Sequence, residues 1–274
     1  MGSPLRSLVR LALYLSWTLF AIPVQMVALG LKLGFAKRWP IVYHRTCTRL
    51  LGFEVVIKGE RSHAKSTLFL ANHSSYVDIM VLGSLIKGSF VAKAEVAGWP
   101  LFGLLAKLQR TVFVDRRARL VAGQRDEMAR RLTKGDNLIL FPEGTSSDGN
   151  RILPFKSALL AVAELEVDGA PIPVQPVSVA YTHLDGIPLG RHLRPFYAWY
   201  GDMDLAGHMW QMAGLGLMRV TVEFHAPVTV AAFGSRKALA RHCQQAVAAG
   251  LAAALAGRPQ EAPDPALPPP AEAA

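Results

Sequence analysis

A short apolar run that ends in a polar turn constrains the fold of this chain more than any other stretch. Residues 67–71 are typical of a buried strand, and residues 72–75 that follow favour turns and helix starts. Ser74 or Ser75 is suited to cap a helix that continues through Asp78 into apolar residues beyond it. The stretch therefore predicts a strand, a tight turn and a helix in immediate succession.

The predicted turn brings a histidine close to a carboxylate. His73 lies where the strand ends, and Asp78 lies in the first turn of the next helix, where a tight turn folds it back onto the imidazole. A carboxylate on one ring nitrogen fixes the tautomer and leaves the other nitrogen free to take a proton. His73 and Asp78 are thus candidates for a general base and its orienting partner. A surface pair or a helix cap is the competing explanation for so short a motif.

Strands and helices alternate along the middle of the chain. Short apolar or alternating runs predict strands at 53–57, 67–71, 89–93, 111–114, 137–141, 172–181 and 219–224. Helices are predicted at 98–108, 121–134, 155–167 and 235–255. This alternation predicts an α/β domain with a mixed central sheet flanked by helices. Pro173 and Pro176 favour an edge position or an irregular course for residues 172–181.

A long apolar stretch near the N-terminus predicts membrane attachment. Residues 8–35 are interrupted only by Arg10, Gln25 and Lys32, and a spanning helix needs about 20 apolar residues. Pro23 either kinks one spanning helix or divides a shallow two-helix hairpin within one leaflet. Basic residues follow the run, as expected of a flank on the cytoplasmic side of a membrane, the inner membrane in a bacterium: Lys32, Lys37, Arg38, Arg45 and Arg49.

The composition agrees with a membrane-associated protein that meets anionic partners. Hydrophobic residues make up 51% of the chain, and the formal net charge is +10. A basic surface suits anionic lipid headgroups, an acidic carrier protein or coenzyme A phosphates. Patterns typical of nucleic-acid-binding domains are missing from the sequence, so a nucleic-acid partner is not expected. Cys47 and Cys243 form no paired motif, which fits a reducing compartment.

Three segments follow from these patterns. Residues 1–51 are predicted to be a membrane-anchoring helical segment, and residues 52–256 the catalytic domain. Residues 257–274 are rich in Pro and Ala and are predicted to be disordered.

Four blocks, in order, resemble those of the glycerolipid (lysophospholipid) acyltransferases related to 1-acylglycerol-3-phosphate acyltransferase. The blocks are Asn72-His73 with Asp78, residues 111–116 ending in Arg116, Phe141 to Thr145, and residues 172–174. The resemblance implies transfer of a fatty acyl group from acyl-CoA or acyl carrier protein to the free hydroxyl of a lysolipid. No metal or cofactor is implied, because the thioester donor is already activated.

The resemblance also implies roles for individual residues. His73 and Asp78 are the expected catalytic pair, and Lys93 and Arg116 are expected to assist acceptor binding. The acceptor site is expected to be lined by Glu143, Gly144 and Thr145, with backbone amides near Gly144 helping to stabilise the oxyanion.

One departure from the family pattern concerns the acceptor headgroup. Many phosphatidate-forming relatives carry Arg after Phe-Pro-Glu-Gly-Thr, where this chain has Ser146, and residues 144–156 look like the version in lyso-ornithine-lipid acyltransferases. Lysophosphatidate is the first expectation, on frequency, and lyso-ornithine lipid is the alternative. A membrane-bound thioester or lipid hydrolase and a non-catalytic lipid-binding protein also remain open at this point.

Overall fold

The computed structural model of the protein describes residues 2–114 and 121–257, which form a mixed sheet flanked by helices. The α-helices are α1 (Pro4–Gly30), α2 (Trp39–Leu50), α3 (Val77–Leu85), α4 (Phe102–Leu108), α5 (Val121–Thr133), α6 (Leu205–Gly214) and α7 (Arg236–Leu255). The strands are β1 (Phe53–Gly59), β2 (Leu68–Ala71), β3 (Gly88–Lys93), β4 (Val112–Val114), β5 (Asn137–Leu140), β6 (Glu166–Val167), β7 (Ala170–Pro171), β8 (Val174–Leu184), β9 (Ile187–Pro188) and β10 (Met218–Phe224). The predicted α/β fold with a mixed central sheet is confirmed.

The order of strands brings the predicted site to the end of the sheet where the carboxyl ends of the parallel strands lie. The strands are arranged β1-β10-β8-β2-β5-β3-β4, with β9 paired to β8, and β6 and β7 form a separate pair. Strands β2, β3, β4, β5 and β8 are mutually parallel, whereas β10 runs antiparallel to β8. The turns after β2 and β5 therefore meet at the carboxyl edge of the sheet, which is where open α/β sheets bind ligands.

Two hydrophobic cores cover the two faces of the sheet. Residues from α2 and α3 pack with Phe69 and Ile139 on one face. Residues from α5 and α7 pack with Leu68 and Leu138 on the other face. Strand β2 is buried at every position because both of its faces are covered, which explains why its sequence is apolar without alternation.

Of the two alternatives predicted for residues 172–181, the edge position is wrong, since β8 lies between β10 and β2. The Pro176 carbonyl accepts a bond from the His225 amide, just beyond the end of β10. The N and the carbonyl of one residue point to the same side of a strand. The missing N–H of Pro176 therefore faces that end of β10 and does not interrupt the ladder with β2.

Helix α1 is continuous through Pro23, so of the two alternatives for this residue the division into two helices is wrong. Its length and composition are sufficient to cross a membrane. However, one side packs along the protein for its whole length, with these residues buried: Ser7, Tyr14, Thr18, Ala21, Gln25 and Ala28. Its other side is exposed and apolar, with these large residues: Leu5, Leu8, Val9, Leu13, Leu15, Leu19, Phe20, Met26 and Val27.

Two of the three polar residues that interrupt the apolar run, Arg10 and Gln25, are turned toward the protein, whereas Lys32 is exposed. The Arg10 guanidinium donates to the carbonyls of Ala213, Leu215 and Gly216 at the end of α6. The Gln25 amide donates to the carbonyls of Ala36 and Leu108. These bonds satisfy N–H groups that would otherwise lie in an apolar environment.

Helices α1 and α2 are joined by residues 31–38 and pack against each other. The Trp17 indole donates to the Tyr43 carbonyl, and the Thr18 hydroxyl lies 3.0 Å from the Tyr43 hydroxyl. Two residues of the basic flank that follows the apolar run, Arg45 and Arg49, are exposed on α2.

Some sequence predictions differ from the structure or lie outside its described part. Residues 155–167 do not form an α-helix, and a 3-10 helix, Ser157–Glu164, occupies the segment instead. Residues 182–216, for which no helix or strand was predicted, contain α6. Arg116 and residues 258–274 of the predicted tail lie outside the described residues.

Candidate active site

The turn after β2 is fastened to the neighbouring strand by Asn72. Its side-chain amide donates to the Val179 carbonyl, and its side-chain oxygen accepts the Val179 amide, at 2.9 and 2.8 Å. This bidentate contact fixes where β2 ends. His73 therefore begins the turn from a defined position at the carboxyl edge of the sheet.

His73 and Asp78 are in direct contact, as the spacing predicted. His73 Nδ1 lies 2.9 Å from Asp78 Oδ2, and Asp78 is fully buried. The same oxygen accepts the amides of Ser74 and Ser75 at 2.7 and 2.8 Å. The other oxygen, Oδ1, accepts the Tyr181 hydroxyl at 2.7 Å. Four donors therefore surround the buried carboxylate and compensate its charge.

One of the two serines that the sequence predicts at the start of α3 contacts the helix, because the Ser75 hydroxyl oxygen accepts the Val77 amide at 3.4 Å. The helix begins at Val77, and Tyr76, the preceding residue, provides no side-chain cap. In addition, Asp78 reaches back to accept the amides of Ser74 and Ser75. The residue that orients the imidazole therefore also organises the start of the helix.

The hydrogen bond to Asp78 leaves one nitrogen of the His73 ring for proton transfer. A carboxylate only accepts hydrogen bonds, so Nδ1 carries the proton and Nε2 has the lone pair. The imidazole stacks on the Phe141 ring with centroids 4.1 Å apart, and its side chain is 22% exposed. This arrangement holds a basic nitrogen at the surface of the site, which is the geometry that a general base requires.

Glu143 fastens the turn after β5 to the turn that carries His73. Its Oε1 accepts the His73 amide at 2.8 Å, and its Oε2 accepts the Leu153 amide at 2.9 Å. Burial raises the pKa of the Glu143 carboxyl to about 7, although the two amides favour the charged form. Both oxygens are thus engaged with the backbone, and a direct contact of Glu143 with the acceptor stays a prediction.

The residues after Glu143 form a turn beside the histidine. Gly144 has a φ of +69°, a left-handed conformation that favours glycine, and its amide donates to the Phe141 carbonyl at 3.1 Å. The sequence suggested that backbone amides near Gly144 stabilise the oxyanion. The Gly144 amide itself is not free to do so, because it is bonded to Phe141. The Thr145 side chain is exposed. The Ser146 hydroxyl donates to the Trp199 carbonyl at 2.6 Å.

Of the two predicted basic ligands of the acceptor, Lys93 belongs to the described residues. Lys93 is the last residue of β3, at the same edge of the sheet as His73, and is partly exposed. Arg116 lies outside the described residues. The binding roles of Lys93, Arg116, Gly144 and Thr145 stay predictions.

Sequence reasoning missed three residues that the fold brings to this site. Tyr181 donates to Asp78, and Phe141 stacks on His73. Lys156 also lies here. Its Nζ is 2.9 Å from the point that the Cβ of any other residue would occupy at Gly144. Tyr181 ends the predicted strand 172–181, so a polar tip on an apolar strand was the available signal.

Comparison with known proteins decides the family. A family model described as Acyltransferase matches residues 53–180. The lyso-ornithine lipid O-acyltransferase of Brucella abortus is 44% identical over 245 residues, which are 88% of this chain and 92% of that protein. The chain belongs to the acyltransferase family. The expectation of an O-acyltransferase enzyme of this family is confirmed.

Other relatives of this acyltransferase differ in the substrate that their names give. The lyso-ornithine lipid O-acyltransferase of Rhizobium meliloti is 40% identical over 89% of this chain and 85% of its own length. The 1-acyl-sn-glycerol-3-phosphate acyltransferase of Neisseria gonorrhoeae is 30% identical over 69% of this chain and 71% of its own length.

A solved structure supports the fold of this acyltransferase. The crystal structure of the 1-acyl-sn-glycerophosphate acyltransferase of Thermotoga maritima aligns with a TM-score of 0.57 and 23% identity. The alignment covers 92% of this chain and all of that one. At this identity the likeness concerns the fold alone.

The described residues contain no group of three or more His, Cys, Asp or Glu placed to hold a metal ion. The expectation that the reaction needs no metal or cofactor stays a prediction.

Proposed function

We propose that this acyltransferase moves a fatty acyl group from a thioester to the free hydroxyl of lyso-ornithine lipid, with His73 as the general base. The observation that carries this proposal is the Asp78 contact, which holds Nδ1 and leaves Nε2 unbonded among the described residues. The substrate hydroxyl takes the place that an enzyme serine has in a hydrolase triad.

The reaction then has two steps, attack on the thioester and collapse of the tetrahedral intermediate, and each is accompanied by one proton transfer. Nε2 of His73 takes the proton of the acceptor hydroxyl as the oxygen attacks the thioester carbonyl carbon. The tetrahedral intermediate collapses by breaking the carbon–sulfur bond, and the leaving thiolate takes the proton back from the imidazolium. Asp78 stabilises the imidazolium between these steps, while Tyr181 and two backbone amides hold the carboxylate in place.

The amide of Thr145 is the candidate donor for the oxyanion. Unlike the Gly144 amide, it makes no hydrogen bond within the described part of the chain. It also lies in the turn that Glu143 fastens to the His73 backbone. A fixed amide in such a position stabilises the developing negative charge without having to reorganise.

Two observations support lyso-ornithine lipid as the acceptor. The relatives that bear this name reach 44% identity, whereas the Neisseria relative named for 1-acylglycerol-3-phosphate has 30%. Residue 146 is also a serine, whereas many phosphatidate-forming relatives carry an arginine at this position. An ornithine headgroup carries a carboxylate and an ammonium, and the Lys156 amine over Gly144 is a cation that could meet that carboxylate.

Lysophosphatidate is the second candidate acceptor, and Lys156 favours it as well. A lysine is a compact point charge that binds phosphate or carboxylate. The ratio of kcat/KM for the two acceptors therefore decides between them.

We also propose that the exposed apolar side of α1 lies in the membrane, with the catalytic part on the cytoplasmic side. One side of α1 packs on the protein, so the helix presents only its outward side to lipid. An amphipathic helix of this kind lies along the interface and not across the bilayer. The basic residues that follow the helix, including Lys37 and Arg45, support a cytoplasmic location.

The proposed function is tested with the purified protein, both acceptors, and acyl-CoA and acyl carrier protein as donors. We expect ester formation on lyso-ornithine lipid that His73→Ala abolishes. Thioester loss at the same rate without any acceptor would instead indicate a hydrolase. Lipid binding with no thioester turnover would indicate a non-catalytic protein.

A further inference from the structure

A second site lies at the amino ends of the parallel strands, opposite the end of the sheet that carries His73. A cavity of about 210 Å³ opens where β3 and β5 begin, and Gly88 and Asn137 are part of its wall. His73 and Glu143 instead follow the carboxyl ends of β2 and β5. Because these strands are parallel, the cavity is separated from the candidate active site by the length of the sheet.

The lining of this cavity is strongly cationic. Four cations, Lys37, Lys65, Lys87 and Arg110, face one carboxylate, Asp136. Lys37 and Arg110 both pair with Asp136, so their positions are fixed by ion pairs. Lys65 and Lys87 are exposed and have no acidic partner among the described residues. The cavity therefore has an excess of positive charge that the protein itself does not neutralise.

The cavity also borders the segment that follows the apolar helix. Ala36 and Lys37 belong to its wall and lie in the connection between α1 and α2, and Pro40, in the first turn of α2, also belongs to it. Exposed apolar side chains precede them in the same connection: Leu31, Leu33 and Phe35. Trp39 packs against Phe35 and Trp17, and such aromatic residues are typical of the membrane–water boundary.

We propose that this cavity binds the phosphate headgroup of an anionic membrane lipid. The proposal rests on the membrane attachment proposed above, because α1 brings the cavity to the level of the headgroups. Lysine amines bind phosphate as point charges, and the ion pairs with Asp136 preorganise the other two cations around the site. The exposed side of α1 carries no charged residue between Leu8 and Leu31, so it cannot supply this recognition.

The test measures how the full-length protein partitions between vesicles and solution. Vesicles of phosphatidylcholine alone are compared with vesicles that also contain phosphatidylglycerol. Flotation gives the ratio of the affinity for the vesicles with phosphatidylglycerol to the affinity for those without it. Each lysine near an anionic surface strengthens binding about fivefold. We therefore expect the double variant Lys65→Ser/Lys87→Ser to lower the ratio about thirtyfold. The variant should remain folded because both side chains are exposed.

Two further variants separate a site from diffuse attraction. Lys237→Ser/Arg241→Ser removes the same charge from exposed positions on α7 and should leave the ratio unchanged. Ala64→Phe should lower the ratio without changing the charge, because Ala64 is exposed and lines the cavity.

The outcomes against the proposal are distinct from a failure of membrane attachment. An unchanged ratio in Lys65→Ser/Lys87→Ser, or an equal fall in the α7 variant, would overturn the cavity as the source of selectivity. An unchanged ratio in Ala64→Phe would show that surface charge alone attracts the membrane. Wild-type protein that binds neither kind of vesicle would overturn the proposed attachment and the cavity proposal together.

Discussion

Tyr181 donates its phenolic hydrogen to Oδ1 of Asp78 at 2.7 Å, from a position 103 residues later in the chain. Burial raises the pKa of the Tyr181 phenol well above its usual range, and the Asp78 carboxylate adds to the effect. The phenol therefore stays protonated and remains a donor. Tyr181 positions the carboxylate that orients His73, although it does not touch the imidazole in a described contact.

Tyr181→Phe removes this donor and leaves one oxygen of a buried carboxylate unpaired. We expect a loss of about 1–3 kcal/mol in the free energy of unfolding. We also expect kcat to fall about tenfold, with less change in KM, because the group acts through the base and not through binding. Thermal unfolding and steady-state kinetics in detergent measure the two effects.

Tyr197→Phe is the matched control for that substitution. Tyr197 stacks on Tyr181 and is equally buried, but its hydroxyl has no hydrogen-bond partner in the described part of the chain. Its removal should leave kcat unchanged and should not destabilise the protein. Equal losses of kcat in both variants would mean that core packing, not the bond to Asp78, explains the effect.

His73→Ala should reduce the rate of acyl transfer by about 10²–10⁴-fold, because a positioned base contributes that factor. The unfolding temperature should change little, since Asp78 keeps three of its four donors. His183→Ala, which changes a partly exposed histidine elsewhere, should retain wild-type activity. A His73→Ala enzyme with more than about a tenth of wild-type activity would contradict the proposed base.

Stability should depend on pH through Glu143. Its folded-state pKa of about 7 exceeds the ordinary value of 4.5, so the folded protein holds this proton more tightly than the unfolded chain. The resulting stabilisation is complete below pH 4.5 and is lost as the pH rises through about 7. Over this window the free energy of unfolding should fall by roughly 3 kcal/mol.

Glu143→Gln tests this assignment because the amide does not titrate. Its unfolding temperature should vary less with pH between 4.5 and 7 than that of the wild type. Glu95→Gln, at an exposed position, should keep the wild-type pH dependence. Parallel curves for wild type and Glu143→Gln would show that another group titrates in this range.

Ser146→Arg should raise the preference for lysophosphatidate over lyso-ornithine lipid. A charge-assisted hydrogen bond to phosphate contributes about 1.5–3 kcal/mol, or roughly ten- to a hundredfold in the ratio of kcat/KM. Ser146→Ala is the control, since it removes the bond to the Trp199 carbonyl without adding charge. An unchanged ratio in a folded Ser146→Arg enzyme would mean that another cation, such as Lys156 or Arg151, already holds the phosphate.

Leu19→Lys should weaken membrane binding without unfolding the protein. Leu19 is 68% exposed on the outward side of α1, so a charge there faces lipid if this side is buried in the membrane. Ile57→Lys, at an exposed position on β1, should have no such effect. Vesicle flotation measures both variants, and equal binding by Leu19→Lys and the wild type would contradict the proposed membrane contact.

The local pattern was sufficient to predict the strand–turn–helix that carries His73. Strand β2 is apolar because both faces of the sheet are covered, and the polar turn marks where it ends. The spacing of His73 and Asp78 within one turn is a local property, so their contact also followed from the sequence. Helix α1 was recognisable for the same reason, because its apolar length is visible along the chain.

Other features depend on residues that meet only in the folded chain. An edge position or an irregular course was predicted for residues 172–181, but the Pro176 carbonyl accepts the His225 amide and β8 lies inside the sheet. Lys156 reaches Gly144 through a loop whose path has no periodic pattern.

The sequence alone determined the family resemblance, the His73–Asp78 pair and the apolar helix, because each is carried by short motifs or runs whose residues are close together in the chain. Only the tertiary structure decided that Asp78 is held by Tyr181 and that Glu143 bonds the backbone of His73. It also decided which side of α1 faces the protein. The reason is that partners far apart in sequence are selected by packing and burial, which leave no local signal in the order of residues.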